Sequence, residues 1–113
     1  MVRVSASEVI GVEVLPPIIT RLRRQHPHLK VELVLSNRLL DLLQLEADIA
    51  VRMVRPSQEQ LLAKRIGVIE VGLHAFALQM DTWVTMHEDL RNSPRCRVTF
   101  DALVAGLQHY VQD

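Results

Sequence analysis

Two short clusters of hydroxyl and amide side chains, Ser5-Ala6-Ser7 and Ser36-Asn37, carry most of the chemistry this sequence offers. Each lies where a β-prone run gives way to a helix-prone one. At such a turn the first backbone N–H groups of the helix have no intrahelical partner and point beyond the strand end. A hydroxyl or amide beside them suits a carboxylate or phenolic ligand. Glu8 weakens the first turn as an anion site by like-charge repulsion, whereas Arg38 strengthens the second. Arg52 follows an apolar run and supplies a candidate counter-ion. A simpler account stands beside this one. Ser7, Ser36 and Asn37 are favoured helix N-caps, and Arg52 is equally a strand-end arginine on the surface.

The other reactive residue types assemble into no known catalytic or metal pattern. His26, His28, His74, His87 and His109 include no His-x-x-x-His pair on a helix and no cysteine at metal spacing. His26 and His28 flank a proline and make a poor chelate. The sequence has no Gly-x-Gly-x-x-Gly turn, phosphate loop or Gly-x-Ser-x-Gly elbow. No catalysis, metal or cofactor is therefore expected. Trp83, the single tryptophan, reads as core rather than as a ligand platform. His87 reads as a capping or hydrogen-bonding residue.

The elements that position these residues follow from periodicity. Val2–Ala6 is β-prone, and residues 8–14 show no clear period. Leu15-Pro16-Pro17 opens a helix, because proline is tolerated where its missing N–H is not needed. Leu15, Ile18, Ile19 and Leu22 form its apolar stripe, and His26-Pro27 ends it. Leu29–Leu35 alternates as a strand, with Val31, Leu33 and Leu35 on one face. A helix is expected at about 38–46 with Leu39, Leu42 and Leu43 buried, then a strand at Asp48–Met53. Arg55-Pro56-Ser57-Gln58 reads as a turn, followed by β-prone runs at about 61–66 and 69–76 and a strand at Asp81–His87. Ser93-Pro94 starts a terminal helix, whose face runs through Cys96, Phe100, Leu103, Val104, Leu107 and Val111. Strands alternating with helices imply right-handed crossovers. The fold expected is an α/β lobe with an open, mostly parallel twisted sheet and helices on both faces.

Composition narrows the class further. The chain's 113 residues make a single domain the default. Its 13 basic and 13 acidic side chains cancel. A free-standing nucleic-acid binder needs a basic excess on one face, and the one basic stretch, Arg21 to Lys30, reads as a solvated helix end. A lone Cys96 excludes an internal disulfide and fits a reducing compartment. No run approaches a membrane span, and the start reads as no signal peptide, so a cytoplasmic location is expected.

The run from Val2 to Ala75 resembles the start of the effector-binding domain of LysR-type transcriptional regulators. The marks that carry the likeness stand in order. They are a strand ending in small polar residues, the Leu-Pro-Pro helix start, and His-Pro before a Val/Leu strand. Asp41-Leu42-Leu43, the strand from Ala47 to Arg52, and Leu62-Ala63-Lys64-Arg65-Ile66-Gly67 follow. The stretch DTWVTMHEDLRNSPRCRVTFDALVAGL resembles the end of the same domain. The resemblance implies a lobe of a type 2 periplasmic-binding-protein-like fold, with a small effector held between two lobes. It implies that Ser5, Ser7, Ser36, Asn37 and Arg52 line the lobe-one side of that cleft. Residues 1–75 correspond to the first part of lobe one and 78–113 to its returning strand and terminal helix. The second lobe is expected to be missing between about Ala75 and Leu78. The family's winged helix-turn-helix is not among these residues, so DNA contact is expected only through that separate domain. Family members pair through their effector domains, which implies a homo-oligomer. The alternatives left open are a truncated dimerisation module and a stand-alone small-molecule-binding lobe.

Overall fold

The computed structural model describes residues 1–35, 47–52, 61–73 and 76–112. Side-chain alternation organises the sheet. In β1 (Val2–Ala6), Val2, Val4 and Ala6 are wholly buried on one face. β2 (Val31–Leu35) and β3 (Ile49–Arg52) flank it in parallel, with Val2 opposite Val31 and Val4 opposite Ile49. β4 (Leu61–Leu73) and β5 (Phe76–His87) form an antiparallel hairpin, and β5 also runs antiparallel to β3. The strand order is β2-β1-β3-β5-β4.

The α/β class is as expected, but the sheet is mixed, with parallel pairing at β1–β2 and β1–β3 and antiparallel pairing at β3–β5 and β4–β5. The cause is the connection. A tight hairpin joins only antiparallel strands, whereas parallel ones need a long crossover. The runs expected at 61–66 and 69–76 join, up to Leu73, in one strand, interrupted by a bulge between Arg65 and Gly67. β5 begins at Phe76 rather than Asp81, and Leu73 pairs with Phe76. The point where the second lobe was expected falls at the start of β5 and at residues 74–75, which lie outside the described residues.

Three helices pack on the face that carries Val2, Val4 and Ala6. α1 (Glu8–Glu13) buries Ile10 and Gly11. At six residues it is too short to display a helical period, which is why no helix is legible there. α2 (Leu15–Gln25) begins with proline in its first turn, buries Leu15 and Leu22, and ends as the His26 N–H reaches the Leu22 carbonyl at 2.9 Å. α3 (Pro94–Gln112) buries Cys96, Phe100, Leu103 and Leu107. Val111, expected on that face, is 37% exposed. It stands near Gly67, which has no side chain to cover it. α3 closes on α2 at Gly106, where an added methyl carbon would fall 2.8 Å from Ile18.

The main core joins Val4, Ile49, Val51, Val84 and Met86 of the sheet to Ile10, Leu15, Leu103 and Leu107 of the helices. On the opposite face Ala47 and Ala50, with Leu61, form a second, smaller cluster. The helix expected at 38–46, with Ser36, Asn37 and Arg38, and the turn at 55–58 lie outside the described residues.

Candidate functional site

The register of the parallel strands creates the site. Ala6, the last residue of β1, is opposite both Leu35 of β2 and Val51 of β3, so three strands end at one level. In open α/β sheets ligands bind beyond such carboxyl ends. Ser5 and Arg52 face away from the main core, because Val4, Ala6 and Val51 take the core side. Ser5 is opposite Ala50, which makes Arg52 its diagonal neighbour, within reach of a long side chain. The Arg52 guanidinium Nη2 donates to the Ser5 hydroxyl oxygen.

Ser5 is fully buried, and Arg52 is partly so. Burial pulls the Arg52 guanidinium below its ordinary pKa, because desolvation disfavours the charged form. An arginine nonetheless keeps its proton at neutral pH. The arrangement is a desolvated cation anchored by a hydroxyl at a strand-end edge. Such a pair orients an anionic oxygen through charge-assisted hydrogen bonds.

Ser7 departs from the capping account. Its backbone has extended N-cap geometry (φ −64°, ψ 157°), and its carbonyl accepts from the Gly11 N–H at 2.9 Å. Its side chain makes no cap hydrogen bond, and the buried hydroxyl oxygen has no partner among the described residues. An N-cap serine that bonds the helix contributes about 1 kcal/mol. Ser7→Ala is accordingly expected to change the unfolding free energy by less than about 0.5 kcal/mol, since no internal hydrogen bond is lost. Urea unfolding of the pair of proteins checks this, and a loss near the full capping value would restore the capping role.

Of the sequence-derived site residues, the structure brings Ser5 and Arg52 into contact and sets Ser7 two residues further along the same turn; Ser36 and Asn37 lie outside the described residues. Trp83 requires a correction. It belongs to neither apolar cluster and is partly exposed on the same face as Arg52, its in-register neighbour. The signal was present in the sequence: Val84 and Met86 alternate into the core, which turns Trp83 and Thr85 the other way. Thr85 sits behind the site, its hydroxyl donating to the Ala50 carbonyl at 3.5 Å. His87 has the capping role expected of it, its Nδ1 accepting from the Asp89 N–H at 3.2 Å.

No group of three potential metal ligands occurs among the described residues. A cleft of about 560 Å³ lies at the opposite end of the sheet, where Met1 and Lys30 precede their strands and Pro94 starts α3. It is remote from the Ser5–Arg52 pair, and shape alone gives it no chemistry.

A family model for the LysR substrate binding domain matches residues 1–75. No curated protein matches the chain. Among solved structures, the fold is similar to the regulatory domain of CrgA, a LysR-type transcriptional regulator from Neisseria meningitidis. That match has a TM-score of 0.76 at 13% identity and covers 94% of this chain and 98% of that one. The regulatory domain of MexT, a transcriptional activator in Pseudomonas aeruginosa, gives 0.75 at 11% identity over 94% and 98%. Full-length AphB, a virulence activator of Vibrio cholerae, gives 0.73 at 13% identity over 92% of this chain and 67% of that one. At these identities the structures speak for the fold, and the sequence match over most of the chain carries the assignment: this protein belongs to the LysR substrate binding domain family.

Proposed function

We propose that the chain is the effector-sensing lobe of a LysR-type transcriptional regulator, taking a small carboxylate or aromatic effector at Ser5, Ser7 and Arg52, with Ser36 and Asn37 as further candidate contacts. The observation that carries this reading is the pairing of the buried Ser5 with the partly buried Arg52 at the carboxyl ends of the strands. It offers fixed donors, no nucleophile–base pair and no catalytic constellation, which suits reversible binding rather than turnover. DNA contact belongs in this reading to a separate helix-turn-helix domain. In this reading the second lobe, which would form the other wall of the cleft, is missing between about Ala75 and Leu78. Losing one wall removes area and polar contacts, so affinity is weak. A cytoplasmic setting goes with transcription control. No described helix is long and apolar enough to cross a membrane.

Calorimetric titration with benzoate tests the reading. Arg52→Gln is expected to weaken binding by roughly tenfold to a hundredfold, the value of one charge-assisted hydrogen bond. Unchanged affinity in a folded Arg52→Gln protein would remove the site from the Ser5–Arg52 edge.

A second reading, an interaction module that forms a homo-oligomer, is favoured by the sheet edges. β2 and the 13-residue β4 are both edge strands, and such edges template pairing with another chain. Light-scattering mass over a hundredfold concentration range separates the two readings. A monomer supports the sensor lobe alone, and a concentration-dependent dimer supports the interaction module.

A further inference from the structure

Trp83 stands in the middle of a row that crosses three strands. It is in register with Arg52 of β3 on one side and Arg65 of β4 on the other. Directly opposed residues of antiparallel strands project to the same face, with Cβ atoms about 4.5–5.5 Å apart. The indole is therefore bracketed by two guanidinium-bearing side chains. Each is tethered: Arg52 donates to the Ser5 hydroxyl, and Arg65 lies 3.0 Å from the Asp81 carboxylate. The ring is partly exposed and outside both apolar clusters. A large aromatic side chain placed away from the core, on the face and at the level of a partly buried cation, has the makings of a ligand platform.

We infer that Trp83 is a specificity-determining residue of the effector site: it stacks on the ring of an aromatic carboxylate whose anionic end is held by Arg52 and Ser5. This rests on the effector reading above and adds to it a ligand class. A carboxylate conjugated to an aromatic ring stays close to the ring plane. Such a molecule lies flat across the strands, with its anionic end at β3 and its ring over β5. Arg65, on the far flank, is paired with Asp81, which leaves Arg52 as the cation of this row. A saturated ring of similar size places its carboxylate equally well but is puckered and has no π face to offset-stack.

The test uses the intact chain and two probes, benzoate and cyclohexanecarboxylate, titrated by calorimetry at one pH and ionic strength. Because Trp83 is the only tryptophan, its fluorescence reports on the same event without a label. The expected result is saturable change in Trp83 emission with benzoate, and benzoate binding tighter than cyclohexanecarboxylate by about threefold to tenfold, the range of one aromatic pair. Trp83→Leu removes that preference and leaves cyclohexanecarboxylate affinity in place. Trp83→Phe, which keeps a ring in the strand, retains part of it. Binding of both acids with equal affinity, or a benzoate preference that survives in Trp83→Leu, overturns the role of Trp83 while leaving the Arg52 site standing. Binding of neither acid overturns the effector site itself, and the stacking role with it.

Discussion

Replacing Leu103 by alanine lowers the unfolding free energy by about 3–4 kcal/mol. Leu103 is wholly buried at the middle of α3, in the cluster that joins Phe100 and Leu107 to the sheet residues Val4, Val84 and Met86. Truncation removes the transfer energy of the lost carbons and leaves a void that the surroundings only partly refill, since strands on one side and helix on the other are fixed by backbone hydrogen bonds. For a domain of this size the midpoint of thermal unfolding falls by roughly 10 °C or more. Tyr110→Ala, at a position 41% exposed on the same helix, serves as the control and changes stability little. Calorimetric scans of the three proteins settle the matter. A loss at Leu103 no larger than at Tyr110 would show that α3 does not pack on the sheet by this face.

That helix was readable from the chain alone, and the reasons are physical. Ser93-Pro94 marks a start, and Cys96, Phe100, Leu103 and Leu107 recur at helical spacing within a helix of nineteen residues. α2 carried the same two signals, a proline start and an apolar stripe. α1 carried neither. Its burial rests on Ile10 alone among large side chains, and Gly11 is accepted because its bare Cα lets Leu35 of β2 lie directly against it. The extent of the β4–β5 hairpin was illegible for a different reason. Periodicity reports burial, and a strand held chiefly by its partner's backbone does not need an apolar face to exist. The pairing that continues past the buried Ile69 to Leu73–Phe76 is such a case.

The candidate site was legible in part. Ser5 and Arg52 could each be named as a strand-end polar group, but their contact depends on β3 lying beside β1, a fact of strand order that no local pattern encodes. Trp83 shows the opposite failure. Its alternation with Val84 and Met86 was available, but its place at the start of the returning strand made it read as core. Where an apolar residue falls out of phase with its own strand's core face, the phase is the better guide.

Gly67→Ala is expected to cost about 2 kcal/mol, within the range for a side chain forced into a sparsely allowed backbone region. Gly67 has φ +118°, which residues with an L side chain rarely adopt. Space is not the obstacle, because the nearest neighbour of an added methyl, a Val111 carbon, would stand 4.0 Å away. The strain buys a register. Arg65 pairs with Trp83 and Gly67 with Thr82, so Ile66 is the extra residue of a bulge. Through that extra residue, Leu62 packs against the core before the bulge and Ile69 is wholly buried beyond it. Without it, a slip by one residue would turn one of them outward, or displace Arg65 from Trp83. A D-alanine at position 67, introduced by semisynthesis, carries the same methyl with the handedness that this φ favours. It should be neutral or stabilising by roughly 0.4–1 kcal/mol, because it restricts the unfolded chain without straining the folded one. Urea unfolding of the three proteins separates the causes. Loss with L-alanine alone places the cost in the backbone, whereas equal losses with both would place it in packing against Val111 and detach the bulge from any conformational need for glycine.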